Sequence, residues 1–556
     1  MNMANRKRSG LRLGIALLSG ASLIVAACGS SSTPGASTAP GTSAGLAQSG
    51  AATKTTVVIG TDLSVLPNLD PERASQFTSY LVDKGPYDNL ITVDPSDYTK
   101  LVPQLATSWE KTPDGGGWLF HLRQGVKFVS GNPFTANDVK FSFDRLINLK
   151  DSPSGYADNI ASVQVVDPMT VQVNLKDPSI PFPPLTTMSS TFAILDSKDV
   201  MAHGGVSGPG ADTTDQATVY LSQHSAGTGP YQITSWVRGS EIDLERNPNY
   251  WGPTPPFERV VFKGFADTAS EVLALQQGDI DVAMNLSSDQ LNGLVGKPGI
   301  SIYKVNSLDM QYWTLSENHP NSGPLKDTRV RQAVFEGVDY QGLIDGLLGG
   351  NAVRPAGFMP IGLGGETEAF AEQNRYPYDP AAAKQLLADA GYPNGFSFTL
   401  SYGTYTWAGV PYDEVAAKIQ SDLAKIGVTV TLNPMEATAF TTAFRAGQTV
   451  SSLVDWTIDA PDPWTYAEPS VDRLALRANW TPSATLMAQM TAASAETDPA
   501  KQAALFQGFE QELIKQNAYS ITFQPIYRWA VSNSVTGVEL TAAGWFIDLG
   551  ALKPAQ

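Results

Sequence analysis

The chain has 556 residues, 54 of them acidic and 37 basic, and its net charge of −17 makes nucleic acid a poor partner. A single cysteine excludes an intrachain disulfide and any cysteine-ligated metal centre. The length exceeds what one hydrophobic core usually serves, so at least two lobes are expected.

Residues 1–27 read as an export signal: Arg6, Lys7, Arg8 and Arg12 precede an apolar stretch at 15–25 that is short for a membrane span. VAAC (25–28) places small residues directly before Cys28 and resembles the lipobox of bacterial lipoproteins. The resemblance implies that Cys28 is lipidated and becomes the first residue of the mature chain. Residues 28–54 are almost wholly Ser, Thr, Gly, Ala and Pro, a composition that predicts a flexible tether with no core around Cys28. Removing residues 1–27 takes away four positive charges and no negative ones, so the rest is still more acidic. It has no second long apolar run, and a soluble body is expected.

Residues 55–60 predict an opening strand, and 67–71 turn away from it. A hairpin follows, with Trp109 before the turn at 113–117 and Trp118, Phe120 and Leu122 alternating after it. Thr135 and Asp138 make a capping box for a helix whose apolar face is Val139, Phe143, Leu146 and Ile147. A second hairpin spans 163–175 and turns at Asp167 and Pro168. Further on, Thr268 and Glu271 are read as capping a helix that ends at Gly278, with 279–283 as the next strand. Asp379 and Pro380 start a helix closed by Gly391, and 397–402 is a strand. A helix opened by Asp413 turns Val415, Ile419, Leu423 and Ile426 inward, and 428–432 returns as a strand. Strand, helix, strand at these lengths is the crossover of an open α/β sheet. The last long helix, 498–516, places Leu505, Phe506, Phe509 and Leu513 on one face.

LVPQLATSWE (101–110) and WLFHLRQGVKFVSGNPFTANDVKFSFDRL (118–146) resemble the signature of the large peptide-binding lipoproteins of bacterial ABC importers, family 5 of the extracellular solute-binding proteins. GTGPYQITSW (227–236), LERNPNYWG (244–252), ALQQGDIDVA (274–283), LKDTRVRQAV (325–334), YDPAAAKQLLADAGYPNGF (378–396) and IQSDLAKIGVTV (419–430) agree in order, so the resemblance spans 57–523. It implies a two-lobed α/β fold of the periplasmic-binding-protein, Venus-flytrap type, in its large class. The N-terminal lobe would take 55–305 and 524–556, with an extra subdomain at about 97–225. The second lobe would take 306–523, with hinges near 306–312 and 521–527 and the ligand between the lobes. It further implies a monomer, lipid-anchored on the extracytoplasmic face, that needs no cofactor and delivers a peptide or peptide-like solute to an ABC permease.

LVDWTIDAPDPWTY (453–466) gathers Asp455, Asp459 and Asp462 with three aromatics and no Lys or Arg, which suits a cation held beside flat surfaces. Asp before Pro also serves ordinary turns, and Trp ordinary cores. In peptide-binding members an Asp in a W-x-x-D pattern before a D/E-P pair holds the ligand's α-ammonium. Here Trp456, Asp459, Asp462 and Pro463 match that pattern, and the resemblance assigns the role to Asp459. Trp456 and the loop carrying Tyr402, Tyr405 and Trp407 supply walls for a ligand, or core. Dipeptide-binding members tend to place a carboxylate-binding Arg near this loop, whereas 402–412 contains neither Arg nor Lys. Arg445 and Arg477 are the alternative anion partners.

Other readings rest on less. His121, His203, His224 and His319 are scattered without metal-ligand spacing, no Walker or GxGxxG loop is present, and GTSAG (41–45) lies inside the tether. Asp455 and Asp459 as a hydrolase pair form the alternative of another class. An oligosaccharide or opine-type binder and a sensory receptor share the same fold.

Overall fold

The computed structural model describes residues 54–64, 66–74, 76–187, 190–458, 460–544 and 547–556. The predicted opening strand is Thr56–Thr61, which runs parallel to Arg259–Gly264 on one side and to the short Val282–Ala283 on the other. Glu241–Arg246 and Tyr231–Val237 extend this sheet antiparallel beyond Arg259–Gly264. Apolar residues on these strands, among them Val57, Ile59, Ile242, Leu244, Val260 and Phe262, share one core. Burying such side chains contributes roughly 1.5–3 kcal/mol each.

Both predicted hairpins are present in one four-stranded antiparallel sheet, ordered Ala106–Lys111, Gly117–Leu122, Thr170–Leu175, Ile160–Asp167. Helix Ala136–Leu149 covers it, with the Asp138 carboxylate accepting from the Thr135 backbone N–H at 2.8 Å as the capping box requires. Val139, Phe143 and Leu146 pack against Phe120, Val171 and Val173, while Ile147 is only half-buried. The same helix holds a fully buried Arg145, which donates to Asp70, Glu72 and Asp215 at 2.7–2.9 Å. One guanidinium thereby ties three chain segments together.

In the second lobe, Ser397–Gly403 and Thr429–Met435 are parallel and joined by helix Tyr412–Ala424, the crossover read from the pattern. Val415, Ile419, Leu423 and Ile426 are buried, and Gly427 takes the left-handed φ of 85° that ends such a helix. Ser451–Trp456 lies parallel to Ser397–Gly403 and antiparallel to Met310–Leu315.

The 14-residue strand Tyr519–Ser532 joins the two halves. Its first part pairs with Met310–Leu315 and its last part with Ile300–Asn306 and Val282–Ala283. Between them stands Pro525, which has no backbone donor, at the changeover from one partner to the next. The buried Gln524 side chain bridges there, accepting from the Ile361 N–H at 2.8 Å and donating to the carbonyls of Ile361 and Ser307.

Several local expectations are corrected. Helix Thr268–Gln277 is capped by Asp267, which accepts from the Ser270 N–H at 2.8 Å. Glu271 is buried instead and accepts from the N–H groups of Met284 (2.8 Å) and Asn285 (3.3 Å). The strand expected at 279–283 is only Val282–Ala283, because Thr56–Thr61 offers it just two partners. In helix Pro499–Lys515, Phe506, Phe509 and Leu513 face the core, but Leu505 is 38% exposed. One residue along a helix rotates about 100°, enough to carry Leu505 off that stripe. A further helix, Trp464–Val471, follows the turn; Pro463 stands just ahead of its first turn, where no N–H is needed.

Candidate functional site

A cavity of about 800 Å³ is walled by Phe77 and Phe265 together with Trp407, Asp455 and Thr457. Tyr527, Arg528 and Trp529 reach it from the long strand. A smaller cavity of about 290 Å³ adjoins it and shares Tyr156, Asp455 and Thr457. Arg445, Arg473 and Arg477 line that smaller space together with Trp456 and Tyr312.

Asp455 belongs to both walls. Its Oδ1 accepts from the hydroxyls of Tyr405 (2.9 Å) and Tyr412 (2.5 Å). Burial pushes its carboxyl above the usual range, and the two phenol donors offset that only in part. Burial and the neighbouring Asp455 together raise Tyr405 and Tyr412, so both phenols stay protonated and donate. Asp309 steadies the next part of the site: it accepts from the Ile458 N–H at 2.8 Å and from the Tyr527 hydroxyl. This fixes the backbone directly before residue 459. On the far side of the turn, Asp462 accepts from the Trp464 N–H at 2.8 Å while burial pushes its carboxyl up to about 6, and Tyr466 donates to the Leu308 carbonyl at 2.5 Å.

The residues expected in the site take different places. Trp407 lines the larger cavity, held by the two-residue hairpin Thr406–Trp407 and Val410–Pro411. Trp456 is 9% exposed, walls the smaller cavity, and packs against Phe358 with ring centroids 5.9 Å apart. Tyr405 acts through Asp455. Tyr402 is 2% exposed, packs in the core of the second lobe and lines neither cavity, because the strand continues through Gly403. Asp459 and Cys28 lie outside the described residues.

The hairpin turn has φ of +50° at Ala408 and +79° at Gly409, the positive pair that a turn of this length requires. Alanine is strained in that region. Ala408→Gly is therefore expected to raise stability by about 0.5–1 kcal/mol without moving Trp407, measured by urea denaturation.

Sequence reading missed Asp309, Tyr527 and Arg473. Asp309 and Tyr527 meet only through pairing of strands distant in sequence, which leaves no local trace. Arg473 had one: RLALR (473–477) puts two arginines at i and i+4, one face of a helix. Among the described residues, no group of three or more His, Cys, Asp or Glu is placed to hold a metal ion.

Known proteins share this fold. The chain is 29% identical over 495 residues, covering 88% of its own length and 92% of the other's, to the probable D,D-dipeptide-binding periplasmic protein DdpA of Escherichia coli K12. The dipeptide-binding protein of Pseudoalteromonas sp. SM9913, solved with Met-Leu, superposes with a TM-score of 0.73 at 23% identity, covering 90% of this chain and 100% of that one. MoaA of A. tumefaciens R10, solved with mannopinic acid, gives a TM-score of 0.70 at 24% identity, again over 90% and 100%. These establish the two-lobed α/β binding-protein fold. The model of the bacterial extracellular solute-binding proteins, family 5 Middle, matches residues 100–473. That span takes in the antiparallel sheet, the crossover at 397–435 and most of the residues that line the smaller cavity, and the chain accordingly belongs to family 5 of the bacterial extracellular solute-binding proteins.

Proposed function

We propose that this protein is the capturing component of an ABC importer, which takes a peptide-like solute between its lobes and delivers it to a permease without chemical change. The observation that carries the reading is the cavity of about 800 Å³, lined by aromatic residues such as Phe77, Phe265 and Trp407 and by Asp309 and Asp455. That volume lies within the usual range for small-ligand sites, about 300–1,000 Å³. DdpA and the Pseudoalteromonas protein, named for dipeptides, support the same class of solute.

In this reading, residues 55–305 with 524–556 form one lobe and 306–523 the other. They move about the neighbouring strands Met310–Leu315 and Tyr519–Ser532 near Pro525. The solute favours closure only by binding the closed state more tightly than the open one. Lipidation of Cys28 holds the protein at the membrane; among the described residues no helix is long and apolar enough to cross one. Two acyl chains suffice for stable anchoring.

Asp459 receives the solute's α-ammonium, next to the Ile458 amide that Asp309 fixes. Asp459→Asn is expected to weaken binding of peptides with a free amino terminus roughly 10- to 100-fold in calorimetric titrations, since a charge-assisted hydrogen bond contributes about 1.5–3 kcal/mol. Unchanged affinity sinks the assignment. The reading as a whole is tested by native mass spectrometry of protein purified from rich medium, followed by thermal-shift screening of the released compounds. Peptide masses that also stabilise the protein support it. Sugar-acid or opine masses, or turnover of added peptides, discard it.

A further inference from the structure

The smaller cavity is lined by three arginines and one carboxylate, whereas the larger has one arginine, Arg528, among several carboxylates. Three guanidinium groups, Arg445, Arg473 and Arg477, converge on about 290 Å³ in a chain whose net charge is −17. Such convergence opposes itself. Burial lowers the Arg477 pKa, and the neighbouring Arg473 and Arg445 lower it further, with only Tyr312 and Tyr519 acting the other way. Among the described residues, neither Arg445 nor Arg477 has a carboxylate within ion-pair distance. Arg473 differs, because it acts on the half-buried Glu468 and also stands over the Trp456 ring at 4.9 Å. Asp455 shares the wall but is committed to the Tyr405 and Tyr412 hydroxyls. The indole Nε1 of Trp456, a residue only 9% exposed, has no hydrogen-bond partner and belongs to the same wall. Two arginines without an ion partner therefore line one small space beside the larger cavity, with the Trp456 ring in the same wall.

We infer that this compartment receives a doubly negative end of the solute, so that the protein selects peptides whose last residue adds a side-chain carboxylate to the terminal one. The inference rests on the proposed peptide capture. Two carboxylates match the charge of Arg445 and Arg477, and the flat fork of each guanidinium suits a carboxylate. A phosphate carries the same charge, and the test separates the two. A neutral side chain in the same place leaves one guanidinium without a counter-charge, which is the source of the selectivity.

The test measures by calorimetry the binding of Ala-Glu, Ala-Gln and Ala-phosphoserine to the full chain and to its Arg477→Gln and Arg445→Gln variants. Melting curves of the variants check folding; Arg445 is exposed, so its replacement leaves the core intact. The unmodified protein is expected to prefer Ala-Glu over Ala-Gln by about tenfold or more, and each variant to bring that ratio close to one. Equal affinity for Ala-Glu and Ala-Gln, or a preference that survives both substitutions, overturns the inference and leaves peptide capture standing. Binding of Ala-phosphoserine alone overturns the dicarboxylate assignment. If none of these dipeptides binds, peptide capture is decided by the co-purified masses, and thermal shifts with glutarate and glutaramate decide the compartment by itself. A shift specific to glutarate and lost in Arg477→Gln retains it; no shift overturns it.

Discussion

Raising the pH from about 4.5 to about 8 is expected to lower the unfolding free energy by roughly 5 kcal/mol or more through two buried carboxyls, Glu366 and Glu510. Glu510, on helix Pro499–Lys515, is pushed up to about 8 by burial and by the nearby Glu366, against the amides of Met359 and Phe358. Burial pushes Glu366 up to about 7, although it accepts from the Ala356 N–H at 2.9 Å. The folded protein thus holds protons that the unfolded chain releases from about pH 4.5. Stability is full below that value, falls through the window as the unfolded chain gains the charge, and levels once the folded carboxyls ionise. Each pH unit of difference is worth about 1.4 kcal/mol, and two neighbouring carboxyls do not add independently. Urea denaturation of the protein and of Glu510→Gln across that range checks it. The slope should be much shallower in the variant, and parallel curves refute the assignment.

The second large effect lies in the first lobe. Arg145→Met is expected to destabilise the protein by about 3–5 kcal/mol, because it removes one cation and leaves Asp70, Glu72 and Asp215 buried together. Glu72 and Asp215 already differ in their response. Burial drives Glu72 well up despite Arg145, whereas at Asp215 the hydrogen bond and charge of Arg145 outweigh burial and hold the pKa down. Arg73 reaches Asp215 at 3.5 Å and Asp70 at 3.8 Å, too loosely to replace a bidentate guanidinium. Part of the loss should return at acid pH, where the carboxyls take up protons. Thermal unfolding at two pH values measures both effects.

The contrast between these sites and the crossover at 397–435 explains what was legible in the sequence. There, period, capping and glycine placement are local: Asp379 and Gly427 mark helix ends within a few residues of the patterns they close, and the structure follows them. The paired carboxyls come from 366 and 510, and the partners of Arg145 from 70, 72 and 215; no window of sequence contains either set. The binding site divides along the same line. Trp456 and Trp407 stand out within short motifs and do line cavities, whereas Asp309 acquires its place only when residues 309, 458 and 527 are brought together. Tyr402 marks the limit of composition: an aromatic beside glycine reads as loop, yet pairing with Thr429–Met435 carries the strand through it into the core.

The position of Tyr519–Ser532 also sets an order in time. This strand is near the end of the chain but stands inside the sheet: Ile300–Asn306 and Val282–Ala283 pair with opposite edges of its last part, and Met310–Leu315 pairs with its first part. A ribosome delivers the amino end first, so both halves wait with an open slot until residue 532 has emerged. Until then the flanking strands present unpaired edges, which favour association with other chains. The nascent protein is thus kept from completing either half early and closes both with the same late segment.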